Sequence, residues 1–320
     1  MNGQTDNTEA SFEALLHYMR DTRGFDFTGY KRTSLMRRVR HRMERTGVET
    51  YEQYLDVLQA SSDEFAALFN TILINVTSFF RDPPAWEFLR AEVVPSMLAE
   101  RGARDPIRVW SAGCASGQEA YSLAMVLAEQ LGTEAFRERV KIYATDIDEH
   151  ALTQGRAASY DPKTVESVPP ELLERYFDLT DGRYVFSKDL RRAVIFGRND
   201  LVKDAPISRV DLLVCRNTLM YFTADTQRNV LARLHFALAP LGTLFLGHAE
   251  MLLSHGDRFT PLNMDNRIFR KAAGSHGHID RFDNVTVNGD RHGDLPGLGP
   301  VRDLAFRASP VAQIVVTGDA

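Results

Sequence analysis

A strand pattern that runs directly into a glycine-containing loop and then into a helix pattern restricts the fold of this chain more than any other feature. The stretch reads IRVWSAGCASGQEAYSLAM, residues 107–125. Its apolar, β-branched start predicts a buried strand, Ile107–Ser111, and the apolar spacing that follows predicts a helix, Gln118–Leu131. Gly113 and Gly117 allow the loop backbone to approach a ligand where a Cβ would clash. This order predicts the first unit of a nucleotide-binding α/β sheet.

The second strand pattern indicates which nucleotide the sheet holds. It covers Lys141–Thr145 and ends in Asp146 and Asp148, which are suited to accept hydrogen bonds from a ribose diol. The sequence contains neither the GxGxxG fingerprint of dinucleotide-binding proteins nor the GxxxxGK[ST] loop of ATP- and GTP-binding proteins. Glu119 also follows the glycine loop, where a pyrophosphate would require N–H groups rather than an anion. We therefore expect an adenosine cofactor without phosphate and with a positive centre, which describes S-adenosylmethionine.

Beyond the glycine loop the pattern alternates between strands and helices. Such alternation predicts a mainly parallel sheet with helices on both faces. The remaining strand candidates are Ala193–Phe196, Asp211–Cys215, Thr243–Gly247 and Arg267–Lys271, and the remaining helix candidates are Glu149–Ala157 and Ala224–Leu238. Residues 160–187 interrupt the alternation with prolines and an Asp-Gly turn, which predicts a small insertion that contains a short hairpin.

The residues before about Glu100 show the 3- and 4-residue apolar spacing of helices, which predicts a separate all-helical domain. The helix candidates are Phe12–Asp21, Leu35–Arg45, Tyr51–Gln59 and Asp63–Ile74. The segment Lys31 to Arg45, KRTSLMRRVRHRMER, carries seven Lys and Arg residues against one Glu. We expect its basic side chains to cover the side opposite its apolar positions, either as an ordinary solvated face or as a docking surface for an acidic partner.

Composition and the C-terminal pattern narrow the class of protein further. The net charge of −5 argues against nucleic acid as a partner, and no apolar run is long enough to predict membrane insertion. Two cysteines, Cys114 and Cys215, give no disulfide framework, and no His or Cys spacing supports a metal, so we predict a cytoplasmic protein without a metal site. Residues 273–300 have the composition of a linker, and residues 303–316 resemble the start of a further domain.

One segment with candidate site residues lies between the helical part and the first strand. It reads NTILINVTSFFR, residues 70–81, and places Asn75 and Thr77 among apolar residues before Arg81. The segment is either a capped helix end or a loop that covers a pocket. In the second case, Arg81 would bind a carboxylate through paired N–H donors.

A second candidate segment, DLLVCRNTLMYF, covers residues 211–222. An apolar strand runs into Arg216 and Asn217, and Tyr221 follows. Because open α/β sheets bind ligands at the carboxyl ends of their strands, we expect Arg216 and Asn217 to face the cofactor and Tyr221 to face the reacting centre. The alternative is that Asn217 only turns the chain and Tyr221 belongs to the core.

Four segments, NVTSFFRD, VWSAGCASGQEAYSLAM, YATDID and CRNTLMYF, occur in this order and together resemble the chemotaxis receptor methyltransferases of the CheR type. The resemblance extends from about Phe12 to Lys271. It implies an α/β fold in which an N-terminal all-helical domain precedes a Rossmann-like class I methyltransferase domain with a small inserted antiparallel β-subdomain. It also implies methyl transfer from S-adenosylmethionine to receptor glutamates, giving glutamate methyl esters and S-adenosylhomocysteine, for sensory adaptation.

The resemblance sets the expected domain limits. We expect the helical, receptor-docking domain at 1–100 and the methyltransferase domain at 101–272, with the β-subdomain at about 158–188. A linker at 273–300 and the truncated start of a PAS-like domain at 301–320 would follow.

The resemblance also implies roles for particular residues. Arg81 would position the substrate carboxylate and Tyr221 would line the path of the methyl group. The implied cofactor-binding residues are Asn75, Thr77, Arg81, Gly113, Glu119, Asp146, Asp200, Leu201, Arg216 and Asn217. The basic helix Lys31 to Arg45 would dock the receptor's cytoplasmic domain. The FDLTDGRYVF turn is shorter than in members that grip a C-terminal receptor peptide, which argues against tether binding.

Other functions stay open on the residues alone. One is methylation of another substrate, such as a small molecule, which would require a closed substrate pocket. Another is a non-catalytic signalling module that binds S-adenosylmethionine. A nicotinamide dehydrogenase is disfavoured because the dinucleotide fingerprint is missing.

Overall fold

A computed structural model of the chain describes residues 2–23, 26–73, 75–250 and 258–272. The predicted linker at 273–300 and the predicted PAS-like segment at 301–320 lie outside the described residues.

The N-terminal part is a layer of four helices with its own apolar core. The helices are α1 (Asn2–Arg23), α2 (Arg32–Thr46), α3 (Tyr51–Ala60) and α4 (Ser62–Ile72). Side-chain caps define where two of them begin. The Thr50 hydroxyl accepts from the Gln53 N–H, while the Gln53 side chain accepts from the Thr50 N–H, and the Ser61 hydroxyl accepts from the Glu64 N–H before α4. The core that these helices enclose contains Phe12, Leu15, Met19, Leu35, Val39, Tyr54, Leu68 and Ile72.

The next helical stretch belongs to a different core. It consists of α5 (Pro83–Phe88), a π-helical turn (Leu89–Val93) and α6 (Val94–Ala99). Trp86, Leu89 and Val93 from this stretch pack with the side chains of the sheet rather than with the first four helices. The two cores therefore divide after Leu73, whereas the sequence places the domain boundary near residue 100. Apolar spacing identifies a helix, but it does not show which core the helix covers.

A seven-stranded sheet follows, with the order β6-β2-β1-β7-β8-β10-β9. Its strands are β1 (Ile107–Ala112), β2 (Val140–Asp146), β6 (Val194–Arg198), β7 (Val210–Cys215), β8 (Leu238–Leu246), β9 (Phe259–Asn263) and β10 (Ile268–Lys271). The five strands from β6 to β8 in this order are parallel, and β10 and β9 add antiparallel pairs at one edge. The chain leaves β1 for β2 and β6 on one side and returns to β7 on the other, so a topological switch point lies between β1 and β7.

Helices cover both faces of the sheet, as the alternating pattern predicts. They are α7 (Gln118–Leu131), α8 (Thr133–Arg139), α9 (Glu149–Ala157) and α12 (Ala224–Ala237). The two faces bury separate clusters because successive strand side chains point to opposite sides. In β1, Val109 packs in one cluster and Trp110 in the other. The sequence did not predict α8 or β9, both of which are short.

The predicted insertion is a small antiparallel sheet with the order β3-β5-β4. Its elements are β3 (Ser159–Tyr160), α10 (Pro170–Tyr176), β4 (Phe177–Thr180) and β5 (Arg183–Phe186), and a single-turn helix, α11 (Lys188–Arg191), follows it. Asp181 and Gly182 both have positive φ, as the two-residue hairpin turn requires. Phe177 and Phe186 are buried in the main core, which attaches the insertion to the sheet. The predicted fold class is therefore confirmed.

The basic helix α2 differs from its prediction in one respect. Arg38 and Arg42 do not share the solvated face. Arg38 is buried and donates to the Ile72 carbonyl, while Arg42 forms an ion pair of 2.5 Å with the largely buried Glu64. The exposed basic residues of the helix are Arg37, Arg40 and Arg45. The apolar spacing did not reveal the other two because long basic side chains can enter a core when a carboxylate or carbonyl receives them.

Among the described residues, no helix combines the length and the apolar character required to cross a membrane.

Candidate active site

A cavity of about 350 Å³ lies at the carboxyl edge of the parallel strands, next to the switch point. All of the predicted site residues line it: Asn75, Thr77, Arg81, Gly113, Glu119, Asp146, Asp200, Leu201, Arg216, Asn217 and Tyr221. The helical layer contributes Tyr30, Ile72 and Leu73 to the same wall. The volume is that of a small-molecule site.

The glycine loop is held against the ends of two neighbouring strands. The N–H groups of Gly113 and Cys114 both donate to the Thr145 carbonyl, at 2.8 and 2.9 Å. Gly113 has a φ of +78°, and a Cβ at this position would lie 2.4 Å from Thr218 Oγ1. Glycine is therefore required here both by its conformation and by the close approach of the β7 turn.

Asp146, at the end of β2, joins this loop to the next one. Its two oxygens accept hydrogen bonds from the N–H groups of Ala115 and Asp148, both at 2.9 Å. Burial raises the pKa of Asp146, while these backbone bonds oppose the rise. Because each carboxylate oxygen can accept more than one bond, the group retains capacity for a ribose diol.

Glu119 is a buried acid in the first turn of α7. The Ser111 hydroxyl donates to its carboxylate at 2.7 Å. Burial raises the pKa of Glu119 to about 7, against the opposing charge of Arg216. A desolvated carboxylate that lines the cavity is suited to a cationic group and unsuited to a phosphate.

The segment that precedes α5 is a loop over the cavity rather than a helix end. The Asn75 amide donates to Asp148 Oδ2 at 2.5 Å, and the Phe80 N–H donates to Ser122 Oγ at 3.1 Å. Phe79 is fully buried against the β-subdomain. These contacts fix the loop to the sheet domain and its β-subdomain.

Arg81 lies between two residues with left-handed backbone. Phe80 has a φ of +48° and Asp82 a φ of +61°. Such conformations cost about 1–3 kcal/mol each and persist where surrounding contacts impose them. Here Asp82 forms an ion pair of 2.5 Å with Arg216, and the Arg81 guanidinium donates a hydrogen bond to the Val76 carbonyl at 3.1 Å. The strained turn therefore presents the Arg81 guanidinium at the cavity wall.

The end of β7 brings Arg216, Asn217 and Tyr221 to the same cavity. The Arg216 side chain is 2% exposed, and its guanidinium lies 4.6 Å from the ring centroid of Phe245. Its buried Nε has no hydrogen-bond partner. Asn217 adopts a φ of +58°, and a short 3₁₀ helix, Leu219–Tyr221, places Tyr221 at the cavity.

The helical layer closes this side of the site. The Lys31 N–H donates to the Tyr221 carbonyl, and the Thr223 N–H donates to the Gly29 carbonyl, both at 2.9 Å. The guanidinium of Arg38 lies 4.9 Å from the centroid of the Tyr221 ring. Arg38, which was expected on the docking face of the basic helix, therefore contacts a proposed catalytic residue instead.

Asp200 and Leu201 form the remaining wall. The Asn199 N–H donates to the Asp146 carbonyl at 3.0 Å, which ties this turn to the end of β2. Asp200 Oδ1 accepts from the Val202 N–H at 2.9 Å, so its carboxylate shapes the turn that carries Leu201.

Sequence reasoning missed several residues that build the site. Tyr30 lines it from the helical layer, Asp82 pairs with Arg216, and Glu250 binds the turn after Asn217. Tyr30 and Asp82 gave no signal because their partners are distant in sequence. The position of Glu250 just after a predicted strand end was a signal that could have found it.

This donor set fits a phosphate-free, positively charged nucleoside. The cavity combines three carboxylates, Glu119, Asp146 and Asp200, with a backbone cradle at Gly113 that a side chain would fill. Within the described ranges, no group of His, Cys, Asp and Glu has the arrangement of a metal site. Sheet order, switch-point cavity and buried carboxylates are together the features expected of a methyltransferase that uses S-adenosylmethionine.

Comparison with known families assigns the chain more closely. The model of the CheR methyltransferase SAM-binding domain matches residues 75–268, and that of the CheR all-alpha domain matches residues 10–73. The chain therefore belongs to the CheR methyltransferase family, and S-adenosylmethionine is its cofactor.

Individual relatives agree with this assignment. The chain is 36% identical over 245 residues to an uncharacterised 104.1 kDa protein of Rhodobacter capsulatus, covering 77% of this chain and 26% of that protein. It is 31% identical to chemotaxis protein methyltransferase 1 of Pseudomonas aeruginosa, covering 82% and 98% of the two chains. It is 32% identical to chemotaxis protein methyltransferase 2 of Vibrio cholerae, covering 77% and 86%. The chain thus spans about a quarter of the first relative and most of the other two.

The raised pKa of Glu119 predicts that cofactor binding depends on pH. The pKa of Glu119 is about 7. At a pH below this value the acid is mostly neutral, and at a pH above it the carboxylate attracts a cationic ligand. We expect the affinity for S-adenosylhomocysteine, whose amino group is cationic, to rise by up to about tenfold between pH 6 and pH 8. Titration calorimetry at both pH values measures this change.

Glu119→Gln is the control, because its amide does not titrate. It should bind S-adenosylhomocysteine weakly and with little dependence on pH over this range. An equally steep pH dependence in the variant would show that another group is responsible.

Proposed function

We propose that this protein transfers a methyl group from S-adenosylmethionine to the side-chain carboxylates of glutamates in chemotaxis receptors, giving glutamate methyl esters. The observation that carries the proposal is that Arg81 lines the same cavity as Glu119 and Asp146, the acids proposed to hold the cofactor. The names of the Pseudomonas and Vibrio relatives support the chemotaxis substrate. Because the substrate segment is the cytoplasmic part of a receptor, we propose a cytoplasmic location.

Methyl transfer to a glutamate carboxylate requires little acid–base catalysis from the protein. A glutamate carboxylate has a reference pKa of about 4.3 and is already ionised at neutral pH, so no general base is required. The cofactor supplies an electrophilic methyl group on a sulfonium. The protein must hold the attacking oxygen in line with that group, which is an orientation effect.

Different residues of the cavity are proposed to hold the cofactor and the substrate carboxylate. Glu119, Asp146 and Asn217 are proposed to hold the cofactor, and Arg81 to bind the substrate carboxylate through its paired N–H donors. Tyr221 is proposed to line the path of the methyl group. Because both reacting charges disappear as the ester forms, Arg81 should orient the carboxylate without neutralising it completely.

Receptor docking is proposed to use the exposed face of α2. Arg37, Arg40 and Arg45 are exposed on this helix, whose buried face reaches Tyr221 through Arg38. An acidic receptor helix would therefore meet basic side chains close to the site. The edge strands of the β-subdomain, β3 and β4, offer only two and four residues to a receptor peptide, so we assign docking to α2.

Transfer of labelled methyl from S-adenosylmethionine to receptor cytoplasmic fragments tests the function. We expect base-labile label on glutamates with the native protein. Arg81→Ala should lower turnover by at least about tenfold, because orientation contributes strongly, while its affinity for S-adenosylhomocysteine changes far less.

The outcomes separate the proposed function from its alternatives. Cofactor binding without label on any receptor fragment would favour a non-catalytic module, and label on small molecules alone would favour another substrate. Equal loss of turnover and cofactor affinity in Arg81→Ala would reject the role of Arg81 in positioning the carboxylate.

Charge reversal on α2 tests the docking surface. Arg37→Glu combined with Arg40→Glu should raise the KM for receptor fragments by about tenfold or more and flatten its dependence on salt, because electrostatic attraction is lost. Turnover at saturating receptor should be preserved.

The matched control is Arg137→Glu, which reverses a half-exposed charge on α8. It should leave the KM for receptor fragments unchanged. If the α2 variant also keeps the native KM, docking occurs elsewhere on the protein.

A further inference from the structure

Glu250 is a buried acid behind the cavity for which the proposed function has no role. It follows β8, is 3% exposed, and is not among the residues that line the cavity. Its Oε1 accepts hydrogen bonds from the N–H groups of Thr218 and Leu219, at 2.7 and 2.8 Å. Its Oε2 accepts from the Gly247 N–H at 2.6 Å.

We propose that Glu250 is a positioning residue that fixes the turn after β7, and with it the cofactor contacts of Asn217. The proposal deepens the proposed function, since it depends on this turn holding the cofactor. Glu250 acts through the backbone of the turn and does not touch the ligand.

The turn that Glu250 holds is the meeting point of three strand ends. A Cβ on Gly113, after β1, would lie 2.4 Å from Thr218 Oγ1. A Cβ on Gly247, after β8, would lie 2.8 Å from the Asn217 nitrogen and 3.0 Å from Glu250 Oε2. The turn is thus packed tightly between two glycines, and a small displacement would change the shape of the cavity.

The conformation of the turn explains why an anionic acceptor is required. Asn217 has a φ of +58°, so the N–H groups that follow it converge on one point instead of continuing the strand. Unpaired buried N–H groups are costly, and a carboxylate satisfies several of them with strong, charge-assisted bonds. Burial raises the pKa of Glu250, and the backbone N–H groups of Gly247, Leu219 and Thr218 oppose that rise.

Glu250→Gln tests the proposal because it preserves shape while one oxygen becomes an N–H₂ group. The N–H₂ group would face backbone N–H donors, and it cannot accept hydrogen bonds from them. We expect the affinity for S-adenosylhomocysteine, measured by calorimetry well below the melting temperature, to fall at least about tenfold, since the turn must rearrange. The KM for S-adenosylmethionine should rise, while the KM for receptor fragments should stay near the native value.

The matched control is Glu129→Gln. Glu129 is also a hydrogen-bonded carboxylate, accepting from Tyr176 Oη at 2.5 Å and Arg175 Nη1 at 2.6 Å, but it anchors the β-subdomain and does not line the cavity. This variant should lower the melting temperature and leave cofactor affinity unchanged. A purely structural role for Glu250 would give the same pattern in both variants.

A second variant decides the question if Glu250→Gln does not fold. Gly247→Ala keeps the carboxylate and pushes the same turn from the other side, so it should also weaken S-adenosylhomocysteine binding. Gly197→Ala is its control, because a Cβ on Gly197 meets nothing within 4 Å.

The outcomes are distinct. Native affinity in the folded Glu250→Gln or in Gly247→Ala would overturn the inference about Glu250. Failure of the native protein to bind S-adenosylhomocysteine would instead overturn the proposed function.

Discussion

Carboxylates that accept backbone N–H groups hold the loops at the carboxyl edge of this sheet in place. Asp146 joins the glycine loop to the end of β2, Asp148 caps α9, and Glu250 fixes the turn after β7. A buried charge is tolerated only when such donors satisfy it. Glu119 differs, since a serine hydroxyl donates to it and its pKa is raised to about 7. At this edge, backbone N–H groups thus oppose the rise in pKa of Asp146 and Glu250, while Glu119 titrates near neutral pH.

The site is also built from two layers of the protein, the sheet and the N-terminal helices. The sheet provides the acidic and glycine-lined wall, while the helical layer provides Tyr30 and brings Arg38 against the Tyr221 ring. The loop with Arg81 connects the layers and is held by contacts to the sheet domain. A helix whose exposed face is basic and whose buried face contacts a site residue would, under the proposed docking, place substrate recognition close to the chemistry. This arrangement suits a macromolecular substrate better than a small one.

The sequence was informative wherever one short segment carries both the fold and the site. The glycine loop, Asp146 and the turn with Arg216 and Asn217 were predictable because parallel strands bring their carboxyl ends together. Side chains whose partners lie far away in sequence were not predictable. Arg42 pairs with Glu64 and Arg38 is buried and reaches Tyr221, so two residues expected on the docking face have partners within the protein instead. The edge strand β9 was missed because a short, partly exposed strand shows little periodicity.

The nucleotide preference of the cavity provides the most direct test of the central claim. This claim is that an acidic site holds a cofactor that carries no phosphate. Thermal unfolding of the native protein should be measured with S-adenosylhomocysteine, NAD and ATP, each at the same millimolar concentration. We expect S-adenosylhomocysteine alone to raise the melting temperature, because binding to the folded state stabilises it and the buried acids repel phosphates. Stabilisation by NAD or ATP, without any by S-adenosylhomocysteine, would contradict the claim.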